Sequence, residues 1–155
     1  MFEPQYTSVL GLQCRDALER LLFFNDNQAR ASEGVSAVVR RYGSPRIGVE
    51  EGRLRVGLGE HVAAQSLYVV IPTGTGIRPI GALVYTREDD KLVVLFVAVD
   101  GEYASRGPRS HTMLLSKMVG ELKRLATRVR GIAALEVYLG RPTPTRIAIR
   151  RPSTP

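Results

Sequence analysis

The residues best able to hold a negatively charged group stand together in one ten-residue stretch, Gly101-Glu-Tyr-Ala-Ser-Arg-Gly-Pro-Arg-Ser110. Arg106 and Arg109 supply guanidinium donors whose planar fork suits phosphate oxygens, and Ser110 supplies a hydroxyl. A glycine-containing turn ahead of a helix presents unpaired main-chain N–H groups and the positive end of the helix dipole. That combination suits phosphate or pyrophosphate. The same local pattern also belongs to an ordinary strand–helix connection that holds nothing. Asp100 and Glu102 are the nearest carboxylates for moving a proton, and in this place they also suit capping or solvating the helix start. His61 and His111 are the only histidines, and the sequence assigns neither a partner. Two histidines and one cysteine, far apart, give no metal-ligand spacing. There is no Gly-x-Ser-x-Gly elbow and no dinucleotide fingerprint after a first strand.

The turn needs two elements to position it. Lys91-Leu-Val-Val-Leu-Phe-Val-Ala-Val-Asp100 is almost wholly apolar, the pattern of a strand buried on both faces. From Pro108 the period changes. Leu114, Leu115, Met118, Val119, Leu122, Leu125, Ala126 and Val129 recur at three- and four-residue steps, which predicts an amphipathic helix. Pro108 suits its first turn and Gly131 a left-handed cap after Arg128 and Arg130.

Composition sets the limits. With 155 residues, 44% hydrophobic and 24% charged, the chain reads as one soluble domain over residues 1–150 with a frayed tail at 151–155. Cys14 alone rules out an internal disulfide and agrees with a reducing compartment; a small buried side chain is its expected role. No apolar run approaches the ~18 residues of a membrane span, and the start lacks the pattern of a signal peptide. The expected location is cytoplasmic. Charge is uneven: residues 1–100 hold 11 Lys/Arg against 12 Asp/Glu, net −1, whereas residues 101–155 hold 11 against 3, net +8. The basic third suits phosphates of a cofactor, nucleic acid or an acidic partner, or is a solvated arginine-rich face.

In chain order, residues 1–6 read as an irregular or short extended lead. A helix begins around Ser8, with Leu12, Leu18, Leu21 and Leu22 on one face and an Arg15–Glu19 pair, and closes at Phe23-Phe24. Ser32 caps a second helix ending at Tyr42, before Gly43 and Pro45. Ile47-Gly48-Val49 and Arg53–Leu58 form a hairpin around Glu50-Glu51-Gly52. Gln65–Ile71, Ile80–Arg87 and Lys91–Val99 form an antiparallel meander, with Pro72–Pro79 read as a loop. Ile132–Leu139 is a strand reached by helical crossover, hence parallel to or near the central one. Arg146–Arg150 alternates like an edge strand.

This order of elements, with the segment Val97-Ala-Val99-Asp100-Gly101-Glu102-Tyr103, resembles the GNAT superfamily of acyl-CoA-dependent N-acetyltransferases over roughly residues 12–140. The resemblance implies an α/β (α+β) fold: a mixed, mostly antiparallel sheet, two N-terminal helices and one long helix after the central strand. The family's cofactor loop, Arg/Gln-x-x-Gly-x-Gly/Ala, falls on Ala104, Gly107 and Arg109, of which the central glycine matches. Arg109 puts a bulky side chain where the family keeps the backbone bare, either pairing with phosphate or filling the site. Pro108 removes one amide donor; Arg106 and Ser110 offer side-chain donors instead.

By the same resemblance, acetyl-CoA is the expected substrate and an unidentified primary amine the acceptor. Main-chain groups of Val97 and Val99 would meet the pantetheine arm at a splay between strands. Arg106, Gly107, Arg109 and Ser110 would meet the pyrophosphate, and Phe24–Ser32 would border the acceptor site. The family's next helix often carries a tyrosine proton donor; here 16 residues follow Leu139, and Tyr138 lies on the strand itself. A homodimer lending Arg146–Arg150 as an edge strand would complete the sheet. Two other readings stand beside the transferase: an inactive GNAT-fold module for binding or dimerisation, and a nucleic-acid binder relying on phosphate contacts, since Tyr103 and Tyr138 are a poor stacking platform.

Overall fold

The computed structural model describes residues 4–23, 39–59, 64–104, 107–109, 113–138 and 143–149. Its centre is a six-stranded sheet in the order β1-β5-β6-β7-β8-β9. The strands are β1 (Gln5–Thr7), β5 (Gln65–Thr73), β6 (Gly76–Glu88), β7 (Lys91–Val99), β8 (Ala134–Val137) and β9 (Thr145–Ala148). Only β7 and β8 run parallel; the other neighbours are antiparallel. The fold is therefore mixed α+β with a mostly antiparallel sheet. The meander β5-β6-β7 is the one the hydrophobic runs predict, and the crossover places β8 beside β7 as expected.

Apolar residues alternate along the central strands because both faces are covered. On one face Tyr68, Val70, Ala82, Val84, Val93 and Leu95 pack with Leu18, Leu21 and Leu22 of α1 (Arg15–Phe23). A second sheet closes that side: β2 (Leu10–Gly11), β4 (Arg53–Leu58) and β3 (Pro45–Glu50), in the order β2-β4-β3, contributing Leu54, Val56 and Leu58. On the other face Leu67, Val69, Ile80, Leu83, Leu92 and Val94 meet Leu114, Met118, Leu122 and Ala126 of α2 (Leu114–Thr127). Helix and sheet approach closely at Gly81, where a Cβ would stand 2.7 Å from the Met118 sulfur.

Several boundaries differ from the sequence reading. The first helix does not begin at Ser8. Leu10–Gly11 pairs with β4, a single 3₁₀ turn follows at Leu12–Cys14, and the α-helix starts only at Arg15. Leu12 is consequently 49% exposed rather than buried with Leu18; the Arg15–Glu19 pair forms at 3.2 Å. Residues 39–42 are helical, and the Ser32 cap lies outside the described residues. Pro72–Pro79 is not a loop. Thr73 pairs with Gly76 around a two-residue turn, and Pro79 is within β6. Proline is tolerated there because β7 ends opposite Gly81, leaving Pro79 beyond its reach. The loop between β3 and β4 is also tighter than read: Glu50 pairs with Arg53, and Glu51 and Gly52 both take positive φ, as a type I′ turn requires.

The long helix starts at Leu114, not at Pro108, and ends at Thr127. Gly131 is left-handed (φ +86°) but lies in the turn beyond. Met113, itself left-handed (φ 50°), precedes the first turn and supplies no side-chain cap.

Candidate functional site

The end of β7 combines two features. The first is a bulge. Val84 of β6 pairs with Phe96 and Tyr85 with Val94, so Leu95 is the extra residue. A bulge shifts the alternation of side chains, and here Leu95 and Phe96 both face the α1 side while Val97 and Val99 turn toward the α2 side. The second is the early departure of β8. Its pairing with β7 runs from Lys91↔Ala134 to Val94↔Val137, and no strand among the described residues flanks β7 on that side beyond Val94. The Asp100 N–H donates to the Ile80 carbonyl (2.8 Å), so Asp100, Ala98 and Phe96 turn their main-chain groups toward β6. The main-chain groups of Val97 and Val99 therefore point to the side that β8 has left.

The turn after Asp100 folds in on itself. The Glu102 N–H donates to Asp100 Oδ1 (3.0 Å). The N–H groups of Tyr103, Ala104 and Gly107 donate to the carbonyls of Asp100, Gly101 and Ala104, and that of Arg109 donates to the Glu102 carbonyl (2.8 Å). The expectation of unpaired amides at Gly107 and Arg109 is thus corrected: both are spent on the loop's own carbonyls. Gly107 makes this possible, because a Cβ there would stand 2.1 Å from the Gly101 carbonyl oxygen and 2.5 Å from that of Glu102. Nor does the turn run straight into a helix, since α2 begins seven positions after Gly107.

Charge is matched within the same turn. Arg109 Nε lies 2.9 Å from Glu102 Oε1, with its guanidinium over the Tyr103 ring at 6.0 Å. Arg78, reaching from β6, pairs with Asp100 (3.2 Å) and sits 3.8 Å from Glu102. Arg78 escaped the sequence reading because it lay in the supposed loop; the register of β6 against β7 is what brings it to Asp100. As the carboxylate nearest the β7 edge, Asp100 is a structural anchor with both oxygens engaged. Arg106 and Ser110 lie outside the described residues, as do His61, His111 and Phe24–Ser32.

The Val97 main chain faces the vacated side of β7, whereas the Gly107–Arg109 amides are turned inward. Amides of another kind stand close by. Leu114 packs 3.5 Å from the Cβ position of Gly81, the residue paired with Val99. The first turn of α2, whose N–H groups have no acceptor within the helix, is thus beside the end of β7. Among the described residues no group of three or more His, Cys, Asp or Glu side chains is placed to hold a metal ion, and no helix is long and apolar enough to cross a membrane. No protein family, curated protein or solved structure matches the chain.

At the far end of the sheet, Tyr42 donates a 2.6 Å hydrogen bond to Glu88, and Arg41 pairs with the same carboxylate at 3.3 Å. Burial, then the bond to Glu88, pushes the Tyr42 phenol well above the ordinary tyrosine range. These contacts tie residues 39–42 to β6 and are remote from the β7 end.

Proposed function

We propose that the chain is an N-acetyltransferase of the GNAT type, taking acetyl-CoA as acyl donor and a primary amine as acceptor. One observation carries this reading: β8 leaves β7 at Val94, and the outward-facing main chain of Val97 stands where an extended amide-bearing arm would pair as a strand does. The phosphates would be held by the first-turn amides of α2, not by the Gly107–Arg109 amides that the sequence resemblance singles out. The amine nitrogen attacks the thioester carbonyl carbon; a C–N bond forms, the C–S bond breaks, the thiolate departs and the nitrogen loses a proton. The protein contributes alignment and main-chain N–H polarisation of the carbonyl.

The test is a thermal titration. A ligand bound only by the native state at 100 times its Kd stabilises it by about 2.7 kcal/mol, which is roughly 5–10 °C for a domain of this size. Acetyl-CoA should raise the midpoint, and Val97→Pro, which removes an N–H not used by β6, should abolish the rise. No shift at millimolar acetyl-CoA defeats the transferase reading.

A second reading has its own observation. The inward-turned loop, with every described amide after Gly101 bonded internally, supports a GNAT-fold module without catalysis that serves for binding or dimerisation. It predicts no acetyl-CoA response and no change with Val97→Pro.

A further inference from the structure

The opposite border of the sheet is β9, and no strand lies beyond it among the described residues. The Ile149 N–H donates to the Ala133 carbonyl (2.9 Å), and Ile147 and Thr145 stand opposite Leu135 and Val137. Bonded positions alternate in an antiparallel pair, so Thr145, Ile147 and Ile149 turn their main chain toward β8. The N–H and C=O groups of Arg146 and Ala148 point outward, about 7 Å apart along the strand. Against this edge lies a groove of about 530 Å³ between β9 and α2, lined by Lys123, Arg124, Thr127, Ile147, Ala148 and Ile149. Its floor is apolar, since Ile147 and Ile149 pack on the α2-side core. Its wall is cationic. Arg124 shares Glu121, while Lys123 is exposed and forms no ion pair among the described residues.

We propose that this edge receives an extended acidic segment of a partner protein, which adds as a further strand beside β9 and lays carboxylates against Lys123 and Arg124. Outward donors alternating with outward acceptors are what a polypeptide strand pairs with. A phosphate backbone would meet the donors but be repelled by the carbonyls. A second copy of this chain would bring two cationic helices together across a two-fold axis, like charge against like. The proposal is independent of the acetyl-CoA reading, which concerns β7.

The experiment uses the whole chain and a fluorescein-labelled octapeptide of alternating valine and glutamate, read by anisotropy. The peptide should bind, and raising salt from about 50 to 500 mM should weaken it several-fold. A valine/lysine peptide and a proline-interrupted valine/glutamate peptide should not bind. Ala148→Pro removes an outward N–H without touching the β8 ladder and should weaken binding at least about tenfold. Lys123→Glu, on an exposed helix position, should weaken it about fivefold and carries the test alone if Ala148→Pro fails to fold. The proposal is overturned if the valine/glutamate peptide does not bind, if the valine/lysine peptide binds equally, or if neither substitution changes the affinity. It is also overturned if oligouridylate binds more tightly than the peptide, or if the chain sediments as a dimer that Ala148→Pro dissociates.

Discussion

Adding one methyl group at Gly107 tests whether the loop after β7 is held by its own backbone. The new Cβ would stand 2.1 Å from the Gly101 carbonyl oxygen and 2.5 Å from that of Glu102. Both obstacles are main chain, so neither can rotate away. Restoring contact distance moves one segment by roughly 1 Å, and a shift of that size stretches the 2.8 Å bond from the Arg109 N–H to the Glu102 carbonyl past useful length. Overpacking of this kind costs about 1–3 kcal/mol, which for a domain of this size lowers the thermal midpoint by about 3–10 °C. Gly120→Ala is the matched control. Gly120 is exposed on α2, and a Cβ there meets nothing within 4 Å; the same substitution should stabilise by about 0.5–1 kcal/mol because alanine loses less entropy in a helix. Urea unfolding gives both signs in one experiment, and hydrogen exchange at the Arg109 amide shows whether the loop itself has opened. If Gly107→Ala is neutral while Gly120→Ala stabilises, the backbone-packed loop is refuted.

Three further outcomes follow from the packing and the charges. Met118 is fully buried, so Met118→Ala should cost about 2–5 kcal/mol; Gly81→Ala should cost less in that background than alone, because the sulfur it would crowd is gone, and a double-mutant cycle reads the coupling. Burial raises the phenols of Tyr42, Tyr68 and Tyr85 above their unfolded values, with the Glu88 bond adding at Tyr42. Their contribution is complete below the unfolded value near pH 10 and is lost as pH rises, by up to about 1.4 kcal/mol per pH unit for each group; urea midpoints between pH 9 and 11 should fall, less steeply in Tyr42→Phe. Glu102→Gln removes a carboxylate beside the end of β7 and should tighten acetyl-CoA binding about two- to fivefold, the scale of an exposed ion pair, whereas unchanged affinity at low salt places the phosphates elsewhere.

The strands that the sequence announced are those whose information is local. Leu92 to Val99 is apolar without interruption because both faces are covered, and Arg146 to Ala148 alternates because it is an edge. What stayed hidden depends on partners distant in sequence. The spacing of Leu12, Leu18, Leu21 and Leu22 suits a helix from around Ser8, a span that takes in Leu10; pairing of Leu10 with Leu54 overrides that start. The β3–β4 hairpin is legible locally, but its joining to Leu10–Gly11 as a second, three-stranded sheet has no local mark for the same reason. Pro72 and Pro79 read as loop because proline breaks ladders, yet both sit where a neighbour's ladder has ended or turned. At the candidate site, Val97 and Val99 were named from resemblance; that their main chain faces away from β6 follows from a bulge at Leu95 that no residue type advertises. The Arg78–Asp100 pair spans 22 positions and exists only by register.

The bulge and the short β8 are better understood as one device than as two irregularities. Without the extra residue, alternation from Val93 would place Val97 and Val99 with the α1-side core, and their main-chain groups would be spent on β6. With it, both side chains turn toward α2 and contribute to that core, while the main chain of Val97 turns outward. A bulge also increases local twist, which works against a parallel neighbour continuing in register; β8 pairs for four residues and stops at Val94, immediately before Leu95. Side-chain burial on the α2 face and a main-chain edge facing the vacated side thus have a single cause. On the transferase proposal, that separation would let an extended substrate arm be gripped by backbone geometry fixed by the core and not by any exposed side chain.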